Sequence, residues 1–278
     1  MAPGQPRTVG FYVGAIFFAL FVLFLYGPLS AIFVLSFQGP DGGLTFPMNG
    51  VSLRWFHALF ERQMVGNFQT SFLRSFELGI VVMLATVVIS LMAGLAFRRR
   101  FRGAGVLFYL VVASLIIPSI LVSLGIGLLF RILDLDTAWW SSGLGAHLTW
   151  TLPFGLLIMF AVFNRFDKSY EEAARDQGAT GWQTLRHVVV PIIAPSLVGV
   201  GLLGFTLSYD EFARTLLAVG ASNTLPLEIY GMTTNITTPV LYAIGTATTG
   251  FSFLVIGLFL FATRTLQRRT LTRRARAS

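Results

Sequence analysis

The residues best equipped for chemistry fall in one short stretch, Tyr209, Asp210, Glu211 and Arg214, with Tyr230 sixteen residues beyond Arg214. A charged side chain at the centre of a bilayer costs ~2.5–3.5 kcal/mol, so charges in a membrane-embedded run face a pathway or a partner. A carboxylate at Asp210 or Glu211 could hold an ammonium group in transit, with the Tyr209 and Tyr230 rings adding cation–π attraction. The same spacing serves a second reading equally well. Arg214 stands four residues after Asp210 and three after Glu211, where an internal ion pair needs no ligand. Asp134 and Asp136 with Trp139 and Trp140 form another acidic and aromatic group, read either as a cation-steering loop or as a solvated one. Catalytic chemistry finds little support. His57, His147 and His187 are far apart, and the absence of cysteine excludes disulfides, iron–sulfur clusters and thiolate zinc. No nucleophile, base and metal set converges, and no phosphate-cradling glycine loop occurs. The chain is expected not to be an enzyme and to bind no cofactor. If ATP and Mg²⁺ are used, partner chains must hold them.

The elements that position these residues follow from composition. Of 278 residues, 55% are hydrophobic and only 12% charged, and mean hydropathy is +0.74. A soluble domain carries about 25% charged residues, so a polytopic membrane protein is implied. Six apolar segments approach the roughly 20 residues that span a bilayer as a helix. They run over about Phe11–Phe37, Phe76–Phe97, Val106–Phe130, Leu148–Phe163, Ser196–Val219 and Leu241–Thr263. Continuous apolar runs without alternation select helices over a barrel. The expectation is an all-α chain with six transmembrane helices in a single transmembrane domain over 1–278. The first segment is expected to be a retained helix rather than a signal peptide, because it is long and only Arg7 precedes it as a basic residue. Fifteen of the 20 lysines and arginines fall in the N-terminal tail (1–10), the second and fourth inter-helix connections and the basic tail (264–278). Cytoplasmic loops carry the positive excess, which puts both termini in the cytoplasm. The net charge of +8 is therefore read as membrane orientation, with no nucleic-acid partner.

The connection over 164–195 carries the most specific pattern. Ser169 and Glu172 have capping-box spacing, and Gly178 is a good left-handed terminator. Thr180 and Gln183 form a second capping-box pattern, and Pro191 and Pro195 are expected to break the chain before the fifth span. Two short helices should therefore meet at a glycine bend. Ala173 and Ala174 give the first a small surface, and Glu172 and Asp176 lie one turn apart.

This layout resembles the EAA loop of ABC importer permeases. Glu172, Ala173, Ala174, Gly178, Val188, Val190 and Pro191 fit the family register of Glu-Ala-Ala, three residues, Gly, nine residues and an aliphatic-x-aliphatic-Pro close. More of the chain is similar to the spermidine/putrescine-type permeases, on the shorter of their two membrane subunits. The matching stretches are Tyr26-Gly-Pro28 with Ser36-Phe37, Ser52 to Phe56, Arg100 to Gly103, Leu207 to Phe212 and Leu225 to Met232. Tyr209, Glu211 and Glu228 depart from the usual residues there. The resemblance implies a type I ABC importer fold, two ATP-binding cassette subunits, a second homologous permease subunit and an extracytoplasmic solute-binding protein. It places the chain in a bacterial inner membrane. It also implies that Glu171, Glu172, Ala173, Ala174, Asp176 and Gly178 contact an ATPase, with Pro191 setting the bend into the fifth helix. Polyamines are the implied substrates, with an opine, an amino-acid derivative, iron or a small anion as alternatives. A self-sufficient secondary transporter is the reading from a different class.

Overall fold

The computed structural model describes residues 8–61, 67–99, 101–235 and 238–277, with side chains as far as 265. The described residues are almost wholly helical, and the one extended pairing among them is an isolated bridge between Gln38 and Val51. Among the described residues, five helical stretches are long and apolar enough to cross a membrane. The chain divides into two compact units, one formed by Met1–Gly66 with Gly231–Gly250, the other by Asn67–Tyr230 with Phe251–Ser278.

In the first unit, helix α1 (Val9–Leu35) is exposed along almost its whole length. The chain then turns around a buried glutamine. Gln38 Nε2 donates to the Gly43 carbonyl at 3.1 Å, and its Oε1 accepts from Asn49 N at 2.9 Å. Trp55 Nε1, on the short helix α2 (Arg54–Ala58), donates to the Gln38 carbonyl.

The second unit is built on three long helices: α3 (Phe68–Phe97), α6 (Leu144–Asn164) and α9 (Val190–Tyr209). Lipid is as apolar as leucine, so membrane helices associate through close packing and interhelical hydrogen bonds. Helix α3 supplies both. Its buried side is Ser71, Ser75, Leu78, Gly79, Val82, Thr86, Ser90 and Gly94, a stripe of mostly small residues at helical spacing. Thr86 and Thr151 hydroxyls meet at 2.7 Å between α3 and α6. A methyl group on Gly155 would lie 2.1 Å from Ser90 Oγ, and one on Gly94 would lie 2.8 Å from the Phe163 ring. Beyond this stripe, Met159, Phe163, Val189, Ile193 and Val200 close an apolar core at the end where α3 finishes.

The second span begins at Phe68 rather than Phe76 and the fourth at Leu144 rather than Leu148, and larger differences lie elsewhere. The third apolar segment is not one helix but two, α4 (Ala104–Ala113) and α5 (Ser119–Ile132). Pro118 lacks an N–H and biases Ile117 away from helical geometry, so the helix ends before it. The fifth span ends at Tyr209 rather than Val219, and Asp210 to Thr224 fold as turns. Pro191 and Pro195 do not break the chain. Helix α8 (Gly181–Thr184), a π turn over Leu185–Val189 and α9 run on continuously. In the π turn Val190 N bonds the Leu185 carbonyl, five residues back. The wider turn makes room for Pro191, whose ring would otherwise meet the carbonyl four residues before it. The remaining elements are α7 (Ser169–Asp176), α10 (Leu225–Asn235) and α11 (Val240–Ala277).

Candidate coupling surface and transport path

At one end of the three-helix core, α7 and α8 form a compact bend. The Ser169/Glu172 capping box is not made. Lys168 takes the cap position, and Asp167 Oδ1 accepts from Ser169 N at 2.9 Å instead. That bond holds the exposed Asp167 carboxyl below its ordinary range. At the other end of α7, Gly178 has φ +80°. Gly178 N bonds the Arg175 carbonyl at 2.8 Å and Ala179 N bonds the Ala174 carbonyl at 3.0 Å, the full Schellman closure. Two residues on, Thr180 and Gln183 make the expected capping box, side chain to backbone in both directions.

The exposed side of this bend carries Tyr170, Glu172, Ala173, Asp176 and Gly178, with Ala174 half-buried. Trp182, 68% exposed on α8, stands beside them. Glu171 does not share that face. Its carboxylate turns inward to Arg98 Nη1 at 2.5 Å. Pro191 lies a π turn away, at the start of α9.

The transport-path residues separate on folding. Tyr209 closes α9, with its ring packed among Phe72, Phe205 and Phe251 at centroid distances of 5.3–6.3 Å. Its hydroxyl has no hydrogen-bond partner. Asp210, the next residue, is exposed. Tyr230 packs against Phe212 with tilted rings, 5.0 Å between centroids. Glu211 and Arg214 come together, but not as side-chain ions: Glu211 Oε1 accepts from the Arg214 backbone N at 2.8 Å. The anticipated ion pair from Arg214 to Asp210 or Glu211 is absent, and among the described residues the ion pairs are Arg98–Glu171 and Arg175–Glu171.

The Arg214 side chain is fully buried. Its Nη2 donates to the Ser114 carbonyl at 2.8 Å, its Nε to Ser119 Oγ at 3.3 Å and its Nη1 to Thr149 Oγ1. The guanidinium lies 4.8 Å from the Trp150 ring centroid. Arg214 thus fills the gap between α4 and α5. It satisfies the carbonyl that the interrupted helix leaves at Ser114, as a buried backbone acceptor requires. Next to it, His147 joins two elements. Its Nε2 lies 2.9 Å from Thr215 Oγ1 and its Nδ1 lies 2.8 Å from Ser208 Oγ. Thr215 already donates to the Glu211 carbonyl. The histidine proton is therefore assigned to Nε2, and Ser208 donates to Nδ1. On the far side of the turn, Glu228 accepts from Asn67 N and from Asn223 Nδ2. That network locks the turn to the start of α3.

Sequence reasoning missed Arg98, the neutral ring around Arg214, and Trp182. A visible signal existed for two of them. Arg98 is the first basic residue after a span, and Trp182 is an aromatic residue in an otherwise polar loop.

An all-helical polytopic chain with a short polar two-helix bend between spans has the build of a membrane permease subunit. The chain belongs to the family of binding-protein-dependent transport system inner membrane components, whose model matches residues 85–273. It is 29% identical over 259 residues to the spermidine/putrescine transport system permease protein PotC of Haemophilus influenzae, covering 91% of this chain and 97% of that one. To the PotC protein of Escherichia coli it is 29% identical over 219 residues, covering 75% and 78%. To the putrescine transport system permease protein PotI of Escherichia coli it is 26% identical over 236 residues, covering 82% of each. The fold is also that of a subunit of a bacterial ABC transporter involved in import of the acidic polysaccharide alginate. That match has a TM-score of 0.67 at 15% identity, covering 92% of this chain and 94% of the other.

Proposed function

We propose that the chain is one membrane subunit of an ATP-driven importer of polyamines, in a bacterial inner membrane with both termini cytoplasmic. Two ATP-binding cassette subunits, a second homologous permease and an extracytoplasmic binding protein complete it. ATP and Mg²⁺ stay in the ATPases, and this chain, read as a single permease domain, holds no cofactor and catalyses no reaction. The observation that carries the reading is the α7–α8 bend, a rigid knuckle fixed by a Schellman closure and a capping box. Its outer face offers Glu172, Ala173, Asp176 and Trp182. This is a surface fit to dock in a groove of an ATPase and to follow it. The names of the relatives over most of the chain support a polyamine as cargo. The exposed Asp210 carboxylate supplies an anion for an ammonium group where α9 ends.

The cycle follows. A loaded binding protein docks outside, ATP closes the ATPase pair, the bend transmits that motion, and the two permeases open outward to take the solute. The test is co-purification from the native membrane, followed by reconstitution in liposomes with labelled putrescine and spermidine. ATP-dependent uptake by a complex holding ATPases and a second permease is expected. Uptake by this chain alone without ATP overturns the reading.

A further inference from the structure

The geometry points to Arg98 and Glu171 as the mechanical tie between the α7–α8 bend and the spanning helices, a role that rests on reading that bend as the ATPase dock. Arg98 caps the end of α3. Its guanidinium lies over two rings at the end of α6, 5.1 Å from the centroid of Phe163 and 5.4 Å from that of Phe166. Its Nη1 meets Glu171 Oε1 on α7 at 2.5 Å. One side chain therefore touches three elements.

The pair is largely shielded, with side chains 16% and 14% exposed, whereas Arg175, the second cation near Glu171, is 60% exposed and 3.9 Å away. Shielding separates the two contacts energetically. An exposed pair is screened and contributes little, while a pair held away from water resists loss of either partner. The aromatic faces fix the guanidinium plane, so its fork is set before the carboxylate arrives. Below it the same Phe163 ring packs against Gly94 with no space for a methyl group, which seats the arginine on a stiff joint. A recess of about 600 Å³ beside the tie is lined by Arg99, Lys168 and Arg175 as well as Glu171.

Glu171 and Glu172 thus divide the work although they are neighbours in sequence. Glu172 faces outward, toward the docked ATPase. Glu171 faces inward and passes the displacement of α7 to the ends of α3 and α6 through Arg98. Without that bond, α7 follows the ATPase while the spans lag.

The test uses the complete reconstituted importer and reads solute imported per ATP hydrolysed. E171Q and R98Q should each lower that ratio at least fivefold, with ATP hydrolysis and co-purification retained. The double variant R98E/E171R should recover at least half of the loss. Single variants that couple normally, or a swap no better than either single variant, overturn the tie. E172K separates the two readings. If it abolishes co-purification of the ATPase while E171Q couples normally, the dock stands and the tie fails. If it leaves both co-purification and coupling intact, the dock itself fails. A second readout is independent of transport. The chain has no cysteine, so spin labels can be placed at R102C and Q177C. The distance distribution between them should broaden at least twofold in E171Q, and an unchanged width overturns the tie.

Discussion

Two shielded arginines sit at the two functional regions, and the protein treats them differently. Arg98 has a carboxylate on one side and the Phe163 and Phe166 faces on the other. Arg214 lies over Trp150, but its fork ends only on neutral groups: the Ser114 carbonyl and the Ser119 and Thr149 hydroxyls. A fork spread over three elements by neutral bonds has one geometry, and losing any branch leaves a buried donor unpaired. A single ion pair keeps its attraction as the partners pivot. The first arrangement suits a fixed frame and the second a joint that must carry load through a movement.

The sharpest way to break this contrast is Arg214→Ala. It orphans the Ser114 carbonyl and removes the donor to the Ser119 hydroxyl, while Thr149 keeps its bond to the Ala146 carbonyl; a buried polar group left unpaired costs about 1–3 kcal/mol. A loss of folded protein on size exclusion and a large fall in Tm are expected. Arg214→Lys keeps the charge but not the fork and should recover only part of the loss. Next comes Gly178→Ala. Nothing lies within 4 Å of the added methyl group, so the effect isolates the φ of +80°. Left-handed backbone costs an L-residue roughly 1–2 kcal/mol. The Tm should fall modestly, and solute imported per ATP should fall more than Tm does. Thr180→Ala removes half of the α8 capping box, about 1 kcal/mol. It should raise hydrogen exchange of Gln183 and Thr184 without changing assembly. The smallest effect on stability belongs to Asp210→Asn, an exposed site. Tm should move by less than 1 °C while polyamine uptake drops severalfold. Unchanged uptake would assign Asp210 a purely structural place.

Much of this was legible in the sequence because local chemistry fixed it. The left-handed glycine at Gly178 and the Thr180/Gln183 box need only residues within a few positions of each other. The helix start at Ser169 was misplaced by one residue because Asp167 competes for the same cap. The Asp210–Arg214 spacing suggested an ion pair, and spacing of that kind holds only on a helix. Once α9 stops at Tyr209, the relation lapses. Arg214 then reaches Ser114, a hundred residues earlier in the chain, which no local pattern reveals. The split third span was legible in part. Pro118 marked the place, but the partner that stabilises the gap was out of sight. Small residues on α3 were visible one by one, and the length of their stripe emerges only when α6 and α9 lie against it.

The π turn at Leu185–Val189 holds one residue more than an α-helical turn of the same rise. Each residue of an α-helix advances the chain by about 100°. The extra residue is therefore a phase offset between α9 and everything N-terminal to it. It leaves Val189 buried while Trp182 and the bend before it turn outward. Deleting one residue there would aim the bend at a different quadrant and bring the Pro191 ring against the carbonyl four residues before it. The direction in which this subunit presents its bend is thus encoded as a count of residues rather than as any contact, and a deletion series through the turn would read it as an angle.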